Sequence, residues 1–295
     1  MKVRYPILAL FAVIILGASM DAAGQIGVVM ELNRKNYLQY EHVFAKIKLR
    51  NYAGSALIFS DTNPAISGGI RFEIYSPDGG MAQVISKDVP EIKGILLKPG
   101  ETSEIVIPIS KYYNLSSLGR YRVKAIVYHS QMVSEYESGT LTLSVSSGVD
   151  AWKTVVGMPS FTQTDITSDG GKIKTRQYRI ASMFDGKDKV FYMIIEDNSR
   201  IYAIKRIGYE MADKVPECEI DALSRLHILQ KLSSDVFMYM LYDIDGTRER
   251  KEIYKKKETS PVLVRDPQSG AVIVAGGEPA EIDKDYNESE DEMFK

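Results

Sequence analysis

Asp221, Ser224 and His227 stand three residues apart and are the group best suited to chemistry. A hydroxyl nucleophile, a base to take its proton and an acid to orient the base are the parts of a serine hydrolase. No nucleophile-elbow glycine pattern surrounds Ser224. A regular strand through this segment would send Ser224 and His227 to opposite faces. The expected reading is a packed histidine. His42 and His129 lie far from His227 and from each other, and none of the three belongs to a His/Cys cluster with metal-ligand spacing.

Asp243-Ile244-Asp245-Gly246 offers alternate carboxylates to a hard cation. The bidentate Glu of a calcium loop would fall at Tyr254, so Asp245-Gly246 reads as a hairpin turn. Cys218, the single cysteine, sits between Glu217 and Glu219, whose charges disfavour a thiolate, and an inert structural role is expected. Arg248, Arg250, Lys251 and Lys255-Lys256-Lys257 form a basic patch. It reads as a solvated hairpin edge where lysines discourage strand pairing, with an anionic polymer or lipid surface as the alternative. Asn114-Leu115-Ser116 fits a glycosylation sequon that a bacterial host would leave unused. The sequence thus assigns no catalytic residue, no cofactor-binding residue, no cofactor and no metal ligand, and the expected protein is not an enzyme.

The elements that position these groups are short strands. Val43, Ala45, Ile47 and Leu49 alternate with polar or exposed neighbours, as do Ile70, Phe72 and Ile74; Ile105, Ile107 and Ile109; Val123, Ala125 and Val127; and Leu141, Leu143 and Val145. Period-two alternation buries one strand face and wets the other. Ile26 to Leu32 is a short apolar run, Asn33 to Tyr40 is turn-like, Leu57 to Phe59 is a short strand, and Met81 to Ile85 returns from the turn Ser76-Pro77-Asp78-Gly79-Gly80. Asp61 to Gly69 is an Asn/Pro/Gly-rich loop.

Beyond Ser146-Ser147-Gly148 a second block begins at Trp152 to Val156. Phe161 to Gly171 is polar, with a turn at Asp169-Gly170-Gly171. Strands are expected at Ile173 to Met183, Val190 to Ile195, Ile201 to Ile207, Val236 to Tyr242, Arg248 to Lys255, Pro261 to Arg265 and Ala271 to Val274. Ala222 to Leu232 is compatible with helix or strand. The fold class is all-β: an N-terminal antiparallel sandwich over residues 26–147, then a second antiparallel β domain, sandwich or barrel, over 150–277.

Leu118-Gly119-Arg120-Tyr121-Arg122-Val123 resembles a tyrosine corner, in which a Tyr at the start of a late strand ties its hydroxyl to upstream backbone. Together with Lys48 to Gly54, Ser76 to Gly79 and Leu97 to Glu101, it resembles bacterial Ig-like modules and the sandwich domain of the BsuPI proteinase-inhibitor family over roughly Ile26 to Val145. That resemblance implies an Ig-like fold. It speaks to fold rather than activity, with proteinase inhibition as one implied alternative.

Met1 to Gly24 looks like a secretory signal: Lys2 and Arg4, then the apolar Ile7 to Gly17, then small residues at Ala18, Ser19, Ala22, Ala23 and Gly24. The apolar core is too short to span a bilayer comfortably, so no stable span is expected after cleavage. One cysteine in 295 residues allows no internal disulfide, which fits a bacterial periplasmic or secreted protein held by its cores. The formal net charge of −2 provides no global basic field for nucleic acid. Residues 278–295 carry eight acidic side chains against two lysines and are expected to be a disordered, solvating tail. The expected function is an exported, non-catalytic binding or structural protein of the cell envelope, with an unknown protein or glycan as partner. The alternatives are a secreted proteinase inhibitor and a hydrolase built near His227.

Overall fold

A computed structural model describes residues 25–59, 67–88, 90, 92, 94–158, 174–186 and 188–280. The expected signal, the loop at 61–66, the polar segment at 161–171 and the tail from Glu281 lie outside the described residues. Regular structure is all-β in several sheets, with one 3-10 turn at Ile109–Lys111 and no α-helix among the described residues.

In the first unit, β1 (Ile26–Leu32), β3 (Phe44–Asn51) and β7 (Thr102–Pro108) form an antiparallel sheet in the order β1-β3-β7. A second sheet runs β2-β10-β8-β5, with β2 (Asn36–Leu38), β10 (Leu141–Ser146), β8 (Gly119–His129) and β5 (Gly68–Tyr75); β9 (Tyr136–Glu137) also pairs with β8. β4 (Leu57–Phe59) and β6 (Ile95–Leu97) make a separate ribbon. The alternation places Ala45, Ile47, Leu49 and Ile107 in one core with Phe72, Ile74, Tyr121, Val123, Leu143 and Val145. The two sheets therefore pack as a sandwich. Tyr121 is fully buried and its hydroxyl donates to the Ser117 carbonyl at 2.9 Å, the upstream tie expected of a corner tyrosine.

Two expectations need correction here. Asn33 to Tyr40 is not simply a turn, because Asn36–Leu38 pairs parallel with Ser144–Ser146 and Tyr37 is fully buried. Met81 to Ile85 makes only isolated bridges, Tyr75 to Met81 and Val84 to Tyr113, rather than a strand.

The second unit starts at once with β11 (Val149–Gly157), which pairs in a meander with β12 (Thr175–Asp185), β13 (Asp188–Glu196) and β14 (Ile201–Tyr209). The facing sheet runs β15 (Glu217–Ile220), β16 (Leu226–Lys231), β17 (Val236–Tyr242), β18 (Arg248–Lys255) and β21 (Glu278–Pro279). Tyr178, Ile180, Phe191 and Met193 share a core with Leu226, Ile228, Met238 and Met240. Of the two architectures expected, this is the sandwich: no ladder among the described residues joins the two sheets into a closed barrel. The ambiguous segment is a strand over Leu226–Lys231. Glu278 to Ala280, expected in the acidic tail, are ordered against β18. Lys255 pairs with Glu278, the Ala280 amide donates to the Ile253 carbonyl at 2.9 Å, and Lys257 Nζ lies 3.1 Å from Glu278.

Both central strands of this unit are covered twice. Val190 to Ile195 are six consecutive buried residues. Phe191, Met193 and Ile195 face the sandwich core. Val190, Tyr192 and Ile194 turn the other way and, with Ala181 and Met183, pack against Leu38 of β2. On β17, Tyr239 and Leu241 face outward and are capped, with Leu229, by Leu263 and Val274 of the hairpin β19 (Val262–Arg265) and β20 (Val272–Ala275). A strand buried on both faces loses alternation and becomes a continuous apolar run.

The seam between the units is tight. Gly148 has φ +69, and a Cβ there would lie 2.9 Å from Leu38 Cδ1 and 3.1 Å from the Ser182 carbonyl oxygen. Arg34 bridges outward from the first unit, donating to the Tyr192 hydroxyl at 3.2 Å and pairing with Glu41 at 2.7 Å.

Candidate functional site

The segment 221–227 folds as a tight turn feeding β16. The Ser224 amide donates to the Asp221 carbonyl at 3.0 Å, and Ser224 takes φ +62, a left-handed conformation that costs a non-glycine residue about 1 kcal/mol. Asp221, Ser224 and His227 are all buried. His227 Nε2 lies 3.3 Å from Asp221 Oδ2, and its Nδ1 lies 2.8 Å from the Tyr239 hydroxyl. Burial pushes the imidazole below its ordinary value, against the opposing pull of Asp221. Burial pushes the Asp221 carboxyl up, but the Arg225 amide and guanidinium and His227 outweigh it and hold the group below the usual carboxylate range. A neutral ring with Nε2–H donating to Asp221 and Nδ1 accepting from Tyr239 satisfies every partner.

The serine is turned elsewhere. Its hydroxyl donates to the Gly157 carbonyl at 3.0 Å, and its own carbonyl accepts from the Tyr178 hydroxyl at 2.5 Å. Asp221 and His227 thus come together as the sequence suggested, without Ser224. The set ties the 221–225 turn to β16, β17 and β11.

The remaining sequence candidates are also engaged. Asp243 Oδ1 accepts the amides of Asp245 and Thr247 at 3.0 and 2.7 Å, while Asp245 reaches Arg176 at 3.3 Å. This is the hairpin turn, with Gly246 at φ +83 against Ala203. Among the described residues no three His, Cys, Asp or Glu side chains gather as a metal site. His129 accepts the Gln131 amide at Nδ1 and contacts the Ile58 carbonyl through Nε2 at 2.9 Å. Burial, with Glu219 and Glu217, pushes the Cys218 thiol far up. The basic patch is partly neutralised: Arg250 meets Glu252 at 3.7 Å and Lys257 meets Glu278. Asn114 Oδ1 is taken by the Ser116 amide and hydroxyl.

An open cleft of about 630 Å³ lies where the two units meet, and sequence reasoning missed it. One wall is Tyr40, Glu41 and His42; the other is Glu196 to Ile204, the end of β13, the turn and the start of β14. Roughly 150 residues of chain separate the walls, so no spacing rule links them. Its carboxylates are all committed. Glu41 pairs with Arg34 and accepts the Leu38 amide at 2.9 Å; burial raises its pKa, and Arg34 opposes the shift. Glu196 accepts from Gln177 and Arg179 at 2.6 and 3.0 Å. Asp197 accepts from Ser199, Arg200 and Tyr202 and pairs with Arg176 at 3.2 Å; the Ser199 and Tyr202 hydroxyls foremost hold it far below the usual carboxylate range.

The donors are not committed in the same way. Arg200 is exposed, stacks 4.1 Å from the Tyr202 ring centroid, and has no carboxylate in ion-pair range among the described residues. His42 and Asn198 are exposed beside it. Tyr40 is 56% exposed at φ +67, a backbone strain of about 1–3 kcal/mol for a residue with a side chain.

No protein-family model and no curated protein matches the chain. Among solved structures it is similar to Spo0M, a sporulation control protein from Bacillus subtilis. The identity is 10% and the TM-score 0.26, over 63% of this chain and 91% of that one. So loose a superposition carries no argument about fold or activity, and neither an Ig-like family nor the BsuPI family is shown by these comparisons. No helix among the described residues is long and apolar enough to cross a membrane, which says nothing of strands.

Proposed function

We propose that the protein is an exported, non-catalytic binding module of the bacterial cell envelope, and that it binds through the cleft between its two β units. The observation that carries this reading is the contrast in side-chain commitment. The buried His227 set is closed on itself, whereas Arg200, which shares a hydrogen bond with the Tyr202 side chain but pairs with no carboxylate among the described residues, stands exposed with His42, Asn198 and the Tyr40 ring in a concave site. Ligand sites combine such apolar and aromatic surface with a few convergent polar groups. The leader composition supports export, and the single cysteine favours a bacterial envelope protein over a disulfide-stapled eukaryotic scaffold. In the first unit, the sheet orders β1-β3-β7 and β2-β10-β8-β5, the parallel β2–β10 pair and the Tyr121–Ser117 bond support an Ig-like reading.

The test is capture from bacterial envelope extract on immobilised protein, beside the Arg200→Glu and Ser224→Ala variants. The reading expects a retained partner lost with Arg200→Glu and kept with Ser224→Ala. A partner indifferent to Arg200, or ester hydrolysis lost with Ser224→Ala, would count against it.

A further inference from the structure

Resting on the reading of this cleft as a binding site, we propose that its ligand is a short, extended, acidic peptide that adds to β14 as a fifth strand. β14 is an edge: it pairs with β13 on one side and ends the order β11-β12-β13-β14. Among the described residues, no backbone hydrogen bond leaves 201–205 for a strand other than β13. An edge of this kind is a template for an extended chain. Several sheets have such edges, but β14 places Ile201, Tyr202, Ala203 and Ile204 along an open cleft. The regular stretch that continues from the cleft, Ala203–Arg206, gives about 13 Å of ladder.

The geometry limits the length of the guest. Register shifts fall between Phe191 and Tyr192 and between Ile195 and Glu196, bracketing a regular ladder of Tyr192–Ile195 with Ala203–Arg206. Bulges twist an edge away from long partners. The edge therefore suits a few residues and opposes sheet-to-sheet association of whole chains. Charge sets the chemistry. With Glu41, Glu196 and Asp197 engaged, the exposed groups are the Arg200 guanidinium, held by the Tyr202 side chain but with no carboxylate in ion-pair range among the described residues, the His42 ring and the Asn198 amide, and this set suits a carboxylate. A guanidinium binds carboxylates through paired N–H donors. The exposed Tyr40 ring, and the parts of Ile201 and Ile204 left uncovered where they pack on the Leu38 cluster, offer contact to alternate apolar side chains.

The experiment is selection of a displayed library of random ten-residue peptides on the full chain, followed by amide hydrogen exchange with the best synthetic peptide. Enriched peptides should alternate β-branched residues with Asp or Glu, and should slow exchange at Ile201–Arg206. Arg200→Glu should weaken them about tenfold, and a fresh selection on that variant should turn to Lys or Arg. Tyr40→Gly keeps the left-handed backbone, removes the ring and should also weaken binding. Unfolding midpoints of both variants exclude loss of fold. Peptides that protect β11 instead, or ignore Arg200, overturn the proposal. A library that yields no peptide also overturns it. In that case, a glycan panel that perturbs Tyr40 and Arg200 would leave the binding-module reading standing, and a panel that does not would remove that too.

Discussion

The inner strands of the two units solve the same problem differently. β8 of the first sandwich keeps its alternation over its first half: Tyr121, Val123 and Ala125 are buried while Arg120 and Arg122 are exposed, and only at Ala125, Ile126 and Val127, where the short β9 pairs alongside, are three in a row buried. β13 of the second has none of this, because its outer face is covered by Leu38 and its neighbours from the first unit. β17 has none either, because the β19–β20 hairpin roofs it. The first unit is a self-sufficient two-layer sandwich. The second is two sheets within four layers, and one of its outer layers belongs to the first unit. Loss of alternation in an antiparallel strand is thus a report on what lies outside the sandwich.

The comparison can be broken most severely by placing a charge on the doubly covered face. Ile194→Asp should cost about 4 kcal/mol or more, since a carboxylate would be buried without a partner. Val106→Asp, an outward apolar residue of β7 that is 48% exposed, should stay within about 0.5 kcal/mol. Urea unfolding midpoints separate the two, and equal costs would remove the distinction.

Leu38→Ala comes next. It should cost about 2–4 kcal/mol by leaving a cavity over Ala181, Val190 and Ile194, and the loss should appear in the second unit's transition. Gly148→Ala sharpens the point. It combines φ +69 with the crowding by Leu38 and should cost about 2 kcal/mol, whereas Gly186→Ala, at φ +80 with open space, should cost about 1 kcal/mol.

The smallest effect is the pH dependence that His227 gives the second unit. The folded pKa of His227 lies below its ordinary 6.5, so the unfolded chain binds the proton first. Stability is then full above that value and falls as the pH drops from 6.5 toward the folded pKa. Asp221, also lowered, extends the loss at more acid pH. Midpoints measured at pH 7.5 and 5.5 should differ for the second transition, and less so in His227→Gln.

Much of this fold was legible in residue order. The alternating segments around Ile47, Phe72, Val123 and Leu143 carry the period of a half-buried strand, and Asp245-Gly246 names its own turn. Among the strands of two to four residues, β4, β19 and β20 were legible, but β2, β6, β9, β15 and β21 were not: they exist because a partner strand stands beside them, and Asn36-Tyr37-Leu38 gives no local signal. The runs Val190 to Ile195 and Val236 to Tyr242 read as strands, but only the packing says what covers them. At the candidate sites, the closeness of Asp221 and His227 was visible, while the rotation of the Ser224 hydroxyl toward Gly157 was not. The cleft was invisible because Tyr40 and His42 line one cavity with Arg200 only once Leu38 packs on the second unit.

The most direct test of this dependence of one unit on the other is to unfold residues 25–147 and 149–280 separately in urea, with an apolar dye present. The first piece should unfold cooperatively near its midpoint in the whole chain. The second should unfold at distinctly lower urea and bind the dye through uncovered Val190, Tyr192 and Ile194. A second piece as stable as in the whole chain, with no dye bound, would contradict the shared layer.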